Sequence, residues 1–223
     1  MKRVFITGGS GYLGRRLIPL LLQQGREVVA LVRPGSERKL PRGCTAALGN
    51  ALDGTTYAAD VRPGDTFVQL VGVPHPSPAK AKDFVSIDQK SAMEAIRVAS
   101  HSGVAHFIYV SVAQPAPVMR AYIAARSACE DALRASGLNA TIFRPWYVLG
   151  PGHWWPAALL PAYWVFERVP ATRDSALRLG LVTVQQMVRA LADAVDDPAT
   201  GVRVVEVPRI REGTNRLAGS AHQ

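Results

Sequence analysis

An apolar run, Val4-Phe5-Ile6, passes directly into Thr7-Gly8-Gly9-Ser10-Gly11-Tyr12-Leu13-Gly14, and that turn opens into Leu13, Leu17, Ile18, Leu21 and Leu22 at helical spacing. No other stretch restricts the fold as much. Glycines on a strand-to-helix turn supply positive φ, close approach of the backbone to a ligand and tight packing of helix on strand. The N–H groups and dipole at the helix start make an anion site suited to a pyrophosphate. A glycine-rich turn without a ligand is the competing reading, and the strand–turn–helix context so near the N-terminus weighs against it. Thr7 through Gly14 are therefore the first cofactor-binding candidates.

The alternation that begins here continues. Glu27 to Val32 reads as a second strand, closing a strand–helix–strand unit in about thirty residues. Where an NAD-preferring fold puts an acidic residue to grip the ribose hydroxyls, this chain has Arg33, with Arg38 and Lys39 nearby. A guanidinium suits a 2′-phosphate by bidentate pairing, and with no carboxylate expected there NADP is favoured, with NAD as the alternative. Thr45 to Leu48 is a third, shorter strand. Asn50 and Ala51 lie on the turn after it, against the expected adenine, and Asp53 reads as a cap. After a short helix (55–59) comes a fourth strand, Thr66 to Val71. Leu70, Val71 and Gly72 end it on the ligand side, Gly72 being small enough for a ribose to approach. His75, in the stiff Pro74–Pro78 loop, is either a substrate contact or merely exposed. A long amphipathic helix spans 80–101, a fifth strand 106–110, a helix about 118–135 and a sixth strand 140–143, followed by Arg144-Pro145. The pattern predicts an α/β fold, a doubly wound parallel sheet (Rossmann fold), as one domain over residues 1–208. Residues 146–180 are expected to form a small apolar cap. Thr183 is expected to cap a helix over 184–195, a last strand covers 202–207, and 209–223 should be a disordered tail.

With 48% hydrophobic and 19% charged residues, the composition is that of a chain with a sizeable core. The net charge of +9 comes from scattered residues without a basic run or an aromatic–basic motif, so no nucleic-acid partner is expected. The two cysteines, Cys44 and Cys129, form no CxxC pair and are expected to be reduced. No metal site is expected. Met1-Lys2-Arg3 runs straight into a strand without a signal core, from which a cytoplasmic location is expected. The aromatic stretch 153–166 (His153-Trp154-Trp155 to Phe166) is too short and too interrupted by proline to span a bilayer. It reads as a lid over an apolar substrate, as a subunit or peripheral membrane contact, or as packed core.

Three side chains carry the candidate chemistry. Ser111 ends the fifth strand, Tyr122 begins the next helix, and Arg126 follows four residues on, on the same helical face. A hydroxyl, a phenol and a cation can together move a proton to or from a carbonyl or alcohol oxygen, the cation favouring the phenolate. The alternative assigns Tyr122 to packing, Arg126 to an i,i+4 pair with Glu130, and Ser111 to a strand-end cap.

The glycine loop resembles the TGxxGxxG loop of the short-chain dehydrogenase/reductase superfamily, in its extended and atypical branches. Ile108-Tyr109-Val110-Ser111 is similar to that superfamily's fifth strand, and Tyr122 and Arg126 match the tyrosine and lysine of its YxxxK. Glu130, Leu133, Ser136-Gly137-Leu138, Thr141-Ile142 and Arg144-Pro145 resemble a run of the NmrA-like members, and Gly150-Pro151-Gly152 the turn that follows. The likeness covers residues 1–208 and implies a dinucleotide held by the glycine loop, with Ser111, Tyr122, Arg126 and Pro145 around its nicotinamide. Three departures stand out. Arginine replaces the lysine and cannot relay a proton; Val112 follows Ser111 where the family has a second serine; and the C-terminal part is shorter than in sugar-nucleotide epimerases. That short apolar cap suits a small hydrophobic carbonyl or quinone-like compound. The leading expectation is an NADP-dependent oxidoreductase. The others are a non-catalytic NAD(P)-binding redox-sensing, regulatory or assembly protein, and a membrane-surface or quinone-linked accessory protein; any of them could be oligomeric.

Overall fold

The computed structural model describes residues 2–74, 76–116, 118–152 and 170–212. His75, the aromatic stretch 153–166 and residues 213–223 lie outside them. The strands are β1 (Arg3–Thr7), β2 (Glu27–Val32), β3 (Thr45–Leu48), β4 (Thr66–Gln69), β5 (His106–Val110), β6 (Ala140–Arg144), β7 (Tyr147–Leu149), β8 (Leu181–Thr183) and β9 (Val202–Glu206). The helices are α1 (Gly14–Gln23), α2 (Ala81–Asp83), α3 (Lys90–Ser102), α4 (Arg120–Ala135), α5 (Pro170–Arg178), α6 (Val184–Asp196) and α7 (Val207–Glu212).

Seven strands form one parallel sheet in the order β3-β2-β1-β4-β5-β6-β9. Both faces are covered, so the strands carry apolar side chains on both sides. Val4 and Ile6 face one core with α1 and α6, whereas Phe5 faces the other with α3 and α4. Phe5, Phe67 and Phe107 lie side by side on three neighbouring strands, with ring centroids 5.2 Å apart at each step. The chain reverses its direction of travel across the sheet between β1 and β4, and such a switch point opens a crevice at the carboxyl ends of the strands. The short parallel pair β7–β8 brings residues 147–149 alongside 181–183, close to that end.

Several boundaries differ from the sequence reading. The expected helix over 80–101 is broken into a 3-10 turn (Pro78–Lys80), α2, a π-helical turn (Phe84–Gln89) and α3. Both Phe84 and Asp88 of the π turn are buried, and an amphipathic count of apolar positions cannot register an inward carboxylate. The expected helix over 55–59 is two 3-10 turns, Gly54–Thr56 and Ala58–Asp60, the first capped by Asp53. β4 ends at Gln69, so Leu70, Val71 and Gly72 belong to the loop beyond it. Residues 209–212, placed in a disordered tail, complete α7 instead: Ile210 is buried in the core and Arg211 Nε donates to Leu181 O at 2.9 Å.

Thr183 caps α6 with a reciprocal box: its hydroxyl accepts from Gln186 N at 3.2 Å, and Gln186 Oε1 accepts from Thr183 N at 2.8 Å. Thr183→Ala should lower stability by about 1 kcal/mol in chemical denaturation. At the opposite end of the sheet from the crevice, His106 is fully buried, with Nε2 accepting from Ala199 N at 3.3 Å. Burial, reinforced by the Arg203 cation, lowers its pKa from 6.5 to about 4. The unfolded chain therefore takes up the proton first as pH falls from 6.5 towards 4. The neutral ring's contribution, present in full above that window, is lost across it, to a total of about 3 kcal/mol. Denaturation between those pH values should show that slope, and His106→Asn should flatten it.

Candidate functional site

The glycine turn is built against the end of β4. Gly8 sits at φ +75°, and a Cβ there would come within 2.8 Å of Leu70 C and 2.9 Å of Val71 N. Gly11 N donates to Gly8 O at 2.9 Å, tightening the turn. A side chain at Gly14 would stand 2.5 Å from the carbonyl oxygens of Gly8 and Gly9, so α1 can start there only as glycine. Gly9 answers a different need, since its Cβ would meet Ala30 Cβ at 2.8 Å. Thr7 hydrogen-bonds Gln69 through its hydroxyl, and the line continues from Gln69 Nε2 to Ser91 Oγ (3.1 Å) and from Ser91 Oγ to Asp88 O (3.1 Å). Thr7 and Gly9 thus support the turn from behind. Tyr12 carries the Arg16 guanidinium 4.1 Å above its ring and packs its hydroxyl against Gly150.

In front of the turn lies a cavity of about 580 Å³. Gly8, Gly11, Tyr12 and Leu13 form one wall, and Leu70 and Gly72 the floor between β1 and β4. Ser111, Tyr122, Arg126 and Pro145 line the same space. The structure therefore brings the three candidate catalytic side chains to the glycine turn. The apolar lining includes Pro74 and Pro76 of the stiff loop and Trp146, Tyr147 and Val148 at the start of the expected cap, whereas Val73 after β4, Val110 and Val112 at the end of β5, and Met119 were not among the sequence candidates. Met119 precedes α4 in the left-handed region (φ 61°), unusual for a non-glycine residue. It packs with Val73, Phe84, Ile87, Ala125 and Tyr122 in a small cluster separate from the two main cores. Val71, Ser10 and Gly14 lie beside the cavity rather than on its lining.

Arg126 does not pair with Glu130. Its Nη2 is ion-paired with Asp88 Oδ1, and its Nη1 donates to Val110 O at 2.8 Å and to the Tyr109 hydroxyl at 3.4 Å. The guanidinium lies 5.7 Å from the Tyr109 ring centroid and 5.2 Å from that of Tyr122. Burial disfavours its charge, but Tyr109, Tyr122 and Asp88 outweigh that and hold its pKa well above the ordinary arginine value. Gly72 has a further reason to be small. A Cβ there would stand 2.5 Å from Arg126 Nη2 and 3.3 Å from Asp88 Oδ1, so the space above it is taken by this ion pair.

Glu130 serves another network. It is buried, accepts from Ser111 Oγ at 2.7 Å and Gln114 Nε2 at 3.0 Å, and takes Arg144 through Nε (3.0 Å) and Nη2 (2.6 Å). Ser111 has one proton to give, and Glu130 receives it, so its oxygen offers the cavity lone pairs only. Tyr122 is half-buried against Phe84, with ring centroids 4.9 Å apart, and its hydroxyl bonds no described residue.

The other candidates lie away from this cavity. Arg33 is exposed just beyond β2 and forms no ion pair with a described residue. The carboxylate-free turn expected there does contain one, since Glu37 Oε1 accepts from Gly35 N at 3.1 Å. Its own amide and that of Gly35 lower the Glu37 pKa. Asn50 is exposed and turns its Oδ1 back to Leu52 N at 3.0 Å, which shapes the turn that Ala51 shares.

The residues present suit a dinucleotide. The turn can be built only with glycine at 8 and 14, which brings bare backbone to the crevice. Arg126 Nε is buried without an acceptor, and an N–H so placed favours a ligand that brings an oxygen. Gly8, Gly11, Tyr12 and Leu13 would hold the phosphates, with Arg126 and Tyr122 at the nicotinamide end. Among the described residues no group of three or more His, Cys, Asp or Glu side chains could hold a metal ion, and no helix is long and apolar enough to cross a membrane.

Comparison with known proteins agrees with this geometry. The chain is 27% identical over 230 residues to a ceramide reductase of Caulobacter vibrioides, covering 98% of this chain and 69% of that protein. It is 26% identical over 148 residues to the photosystem II assembly factor Ycf39 of Synechocystis, covering 64% of this chain and 44% of that protein. A short-chain dehydrogenase/reductase superfamily protein from Agrobacterium tumefaciens, solved with bound NAD, shares the fold. The TM-score is 0.66 at 16% identity, over 92% of this chain and 77% of that one. Residues 8–150 match the NAD(P)H-binding family, and the chain belongs to that family.

Proposed function

We propose that the chain is a cytoplasmic NADP-dependent oxidoreductase of the atypical, NmrA-like short-chain type, acting on a small apolar carbonyl, alcohol or quinone-like compound. The observation that carries this reading is the single cavity in which the glycine turn, Arg126 and an unengaged phenol, Tyr122, meet among apolar walls. The ceramide reductase, a relative named for an apolar substrate, supports it. Bound reduced dinucleotide supplies a hydride to a carbonyl carbon. Tyr122 gives its phenolic proton to the carbonyl oxygen, leaving an alcohol, and the reverse direction returns the proton to Tyr122. Arg126 stabilises the phenolate and would meet the nicotinamide ribose from the cavity wall. Ser111 accepts a hydrogen bond from the alcohol or from Tyr122, because its own proton is held by Glu130. Val73, Val112, Met119 and Trp146 exclude water and receive the apolar part of the substrate.

A second reading is a non-catalytic NAD(P)-binding regulatory or assembly protein. The commitment of Ser111 to Glu130 and of Arg126 to Asp88 favours it, as does the likeness to an assembly factor. Tyr122→Phe separates the two. On a panel of quinones, ketones and aldehydes it should lower turnover by about a hundredfold or more, leaving NADPH affinity within about twofold of wild type. Unchanged turnover would remove Tyr122 from the chemistry, and no turnover by the wild type on any compound would favour the second reading.

Arg33 at the end of β2 is assigned to the 2′-phosphate, assisted by Arg38 and Lys39. NADPH should bind about tenfold more tightly than NADH, and Arg33→Ser should erase most of that difference in fluorescence titrations. Equal binding of the two by the wild type would reassign the preference to NAD.

A further inference from the structure

No motif marks Asp88, yet it is the only carboxylate bonded to Arg126 among the described residues. It is fully buried, and Arg126 keeps only 7% of its side chain exposed. The remaining Asp88 oxygen, Oδ2, accepts from Val73 N at 2.9 Å. Its own carbonyl takes the Ser91 hydroxyl, the last link of the line that starts at Thr7 beside the glycine turn. Asp88, on the π turn behind the cavity, thus ties together two pieces of its wall, the loop after β4 and α4.

The geometry of Arg126 follows from this. The ion pair fixes Nη2 against Gly72, Val110 O and Tyr109 fix Nη1, and two of the five N–H donors, one on Nη2 and the one on Nε, are left without an acceptor among the described residues. A planar guanidinium held at two corners has its third direction determined. A buried ion pair adds little net stability over an apolar pair of the same size, so stability alone does not account for Asp88. We propose that Asp88 is a positioning residue for dinucleotide binding, which acts through Arg126 by holding the guanidinium in the cavity wall that the ligand would meet. The proposal rests on dinucleotide binding in this cleft and is independent of whether turnover follows.

NADPH and NADH titrations of the wild type, Asp88→Asn, Arg126→Gln and the double variant test it, with thermal midpoints measured on each. Asp88→Asn should weaken the tighter dinucleotide by about tenfold and lower the midpoint, because it leaves a buried cation unpaired. The double variant should recover much of the midpoint while binding no worse than Arg126→Gln alone, since Asp88 has nothing left to position. Should Asp88→Asn not fold, the comparison of Arg126→Gln with the double variant still decides. Equal affinities support the proposal, and a further loss of about threefold or more in the double variant overturns it. Asp88→Asn binding as tightly as the wild type also overturns it. A folded wild type that binds neither dinucleotide overturns the cofactor reading itself, and with it the proposal.

Discussion

The approach of the glycine turn to the end of β4 is the constraint on which the rest of the structure depends. Gly8 leaves no room for a side chain against Leu70 and Val71, and Gly14 none against the carbonyls of Gly8 and Gly9. These contacts set where α1 begins, how closely β1 and β4 carry their loops together, and how deep the crevice at the switch point is. Because β1 and β4 are neighbours in register from Val4–Thr66 to Thr7–Gln69, the turn and the Leu70–Gly72 loop emerge side by side. The whole sheet holds this junction from both faces, with α1 and α6 on one side and α3 and α4 on the other.

Into that junction the chain places a buried ion pair. An arginine where the superfamily that this chain resembles has a lysine is a change of shape as much as of residue. A guanidinium presents five donors in a plane and is larger than an ammonium, so it needs acceptors at depth and space above it. Asp88, Val110 O and Tyr109 supply the acceptors, and the missing side chain of Gly72 supplies the space. Four positions thus accommodate one substitution, which gives the departure from the lysine pattern a structural basis. The Glu130–Arg144 pair in turn fixes Ser111 and Gln114 in the loop after β5.

Much of the fold was legible because parallel strands buried on both faces read as continuous apolar runs, as Val4-Phe5-Ile6 and Val28-Val29-Ala30-Leu31 do. The cap of α6 was legible because Thr183 is followed at the right spacing by Gln186. The π turn was not, since it interrupts an otherwise regular helical period without a proline or glycine to mark it. Nor was the partner of Arg126. The i,i+4 rule favours Glu130, which is nearer in sequence, while Asp88 lies 38 residues away and is brought in only by the packing of the π turn on α4. The Gly8–Leu13 wall of the cavity could be read from the motif, but its apolar side comes from loop residues such as Val73, Val112 and Trp146, which carry no periodic signal. Glu37 shows a different limit: it stands in plain view after Gly35, yet where its carboxylate turns is a matter of loop geometry.

Everything above turns on a reduced dinucleotide binding in the crevice between β1 and β4. The most direct measurement is an equilibrium titration of the purified chain with NADPH, following tryptophan emission, beside the same titration of Gly14→Ala, in which the turn cannot close. Dinucleotide binding in that crevice requires saturable one-to-one binding by the wild type and a loss of about a hundredfold or more in the variant. Absence of binding by a folded wild-type chain, or undiminished binding by a folded Gly14→Ala chain, would contradict it.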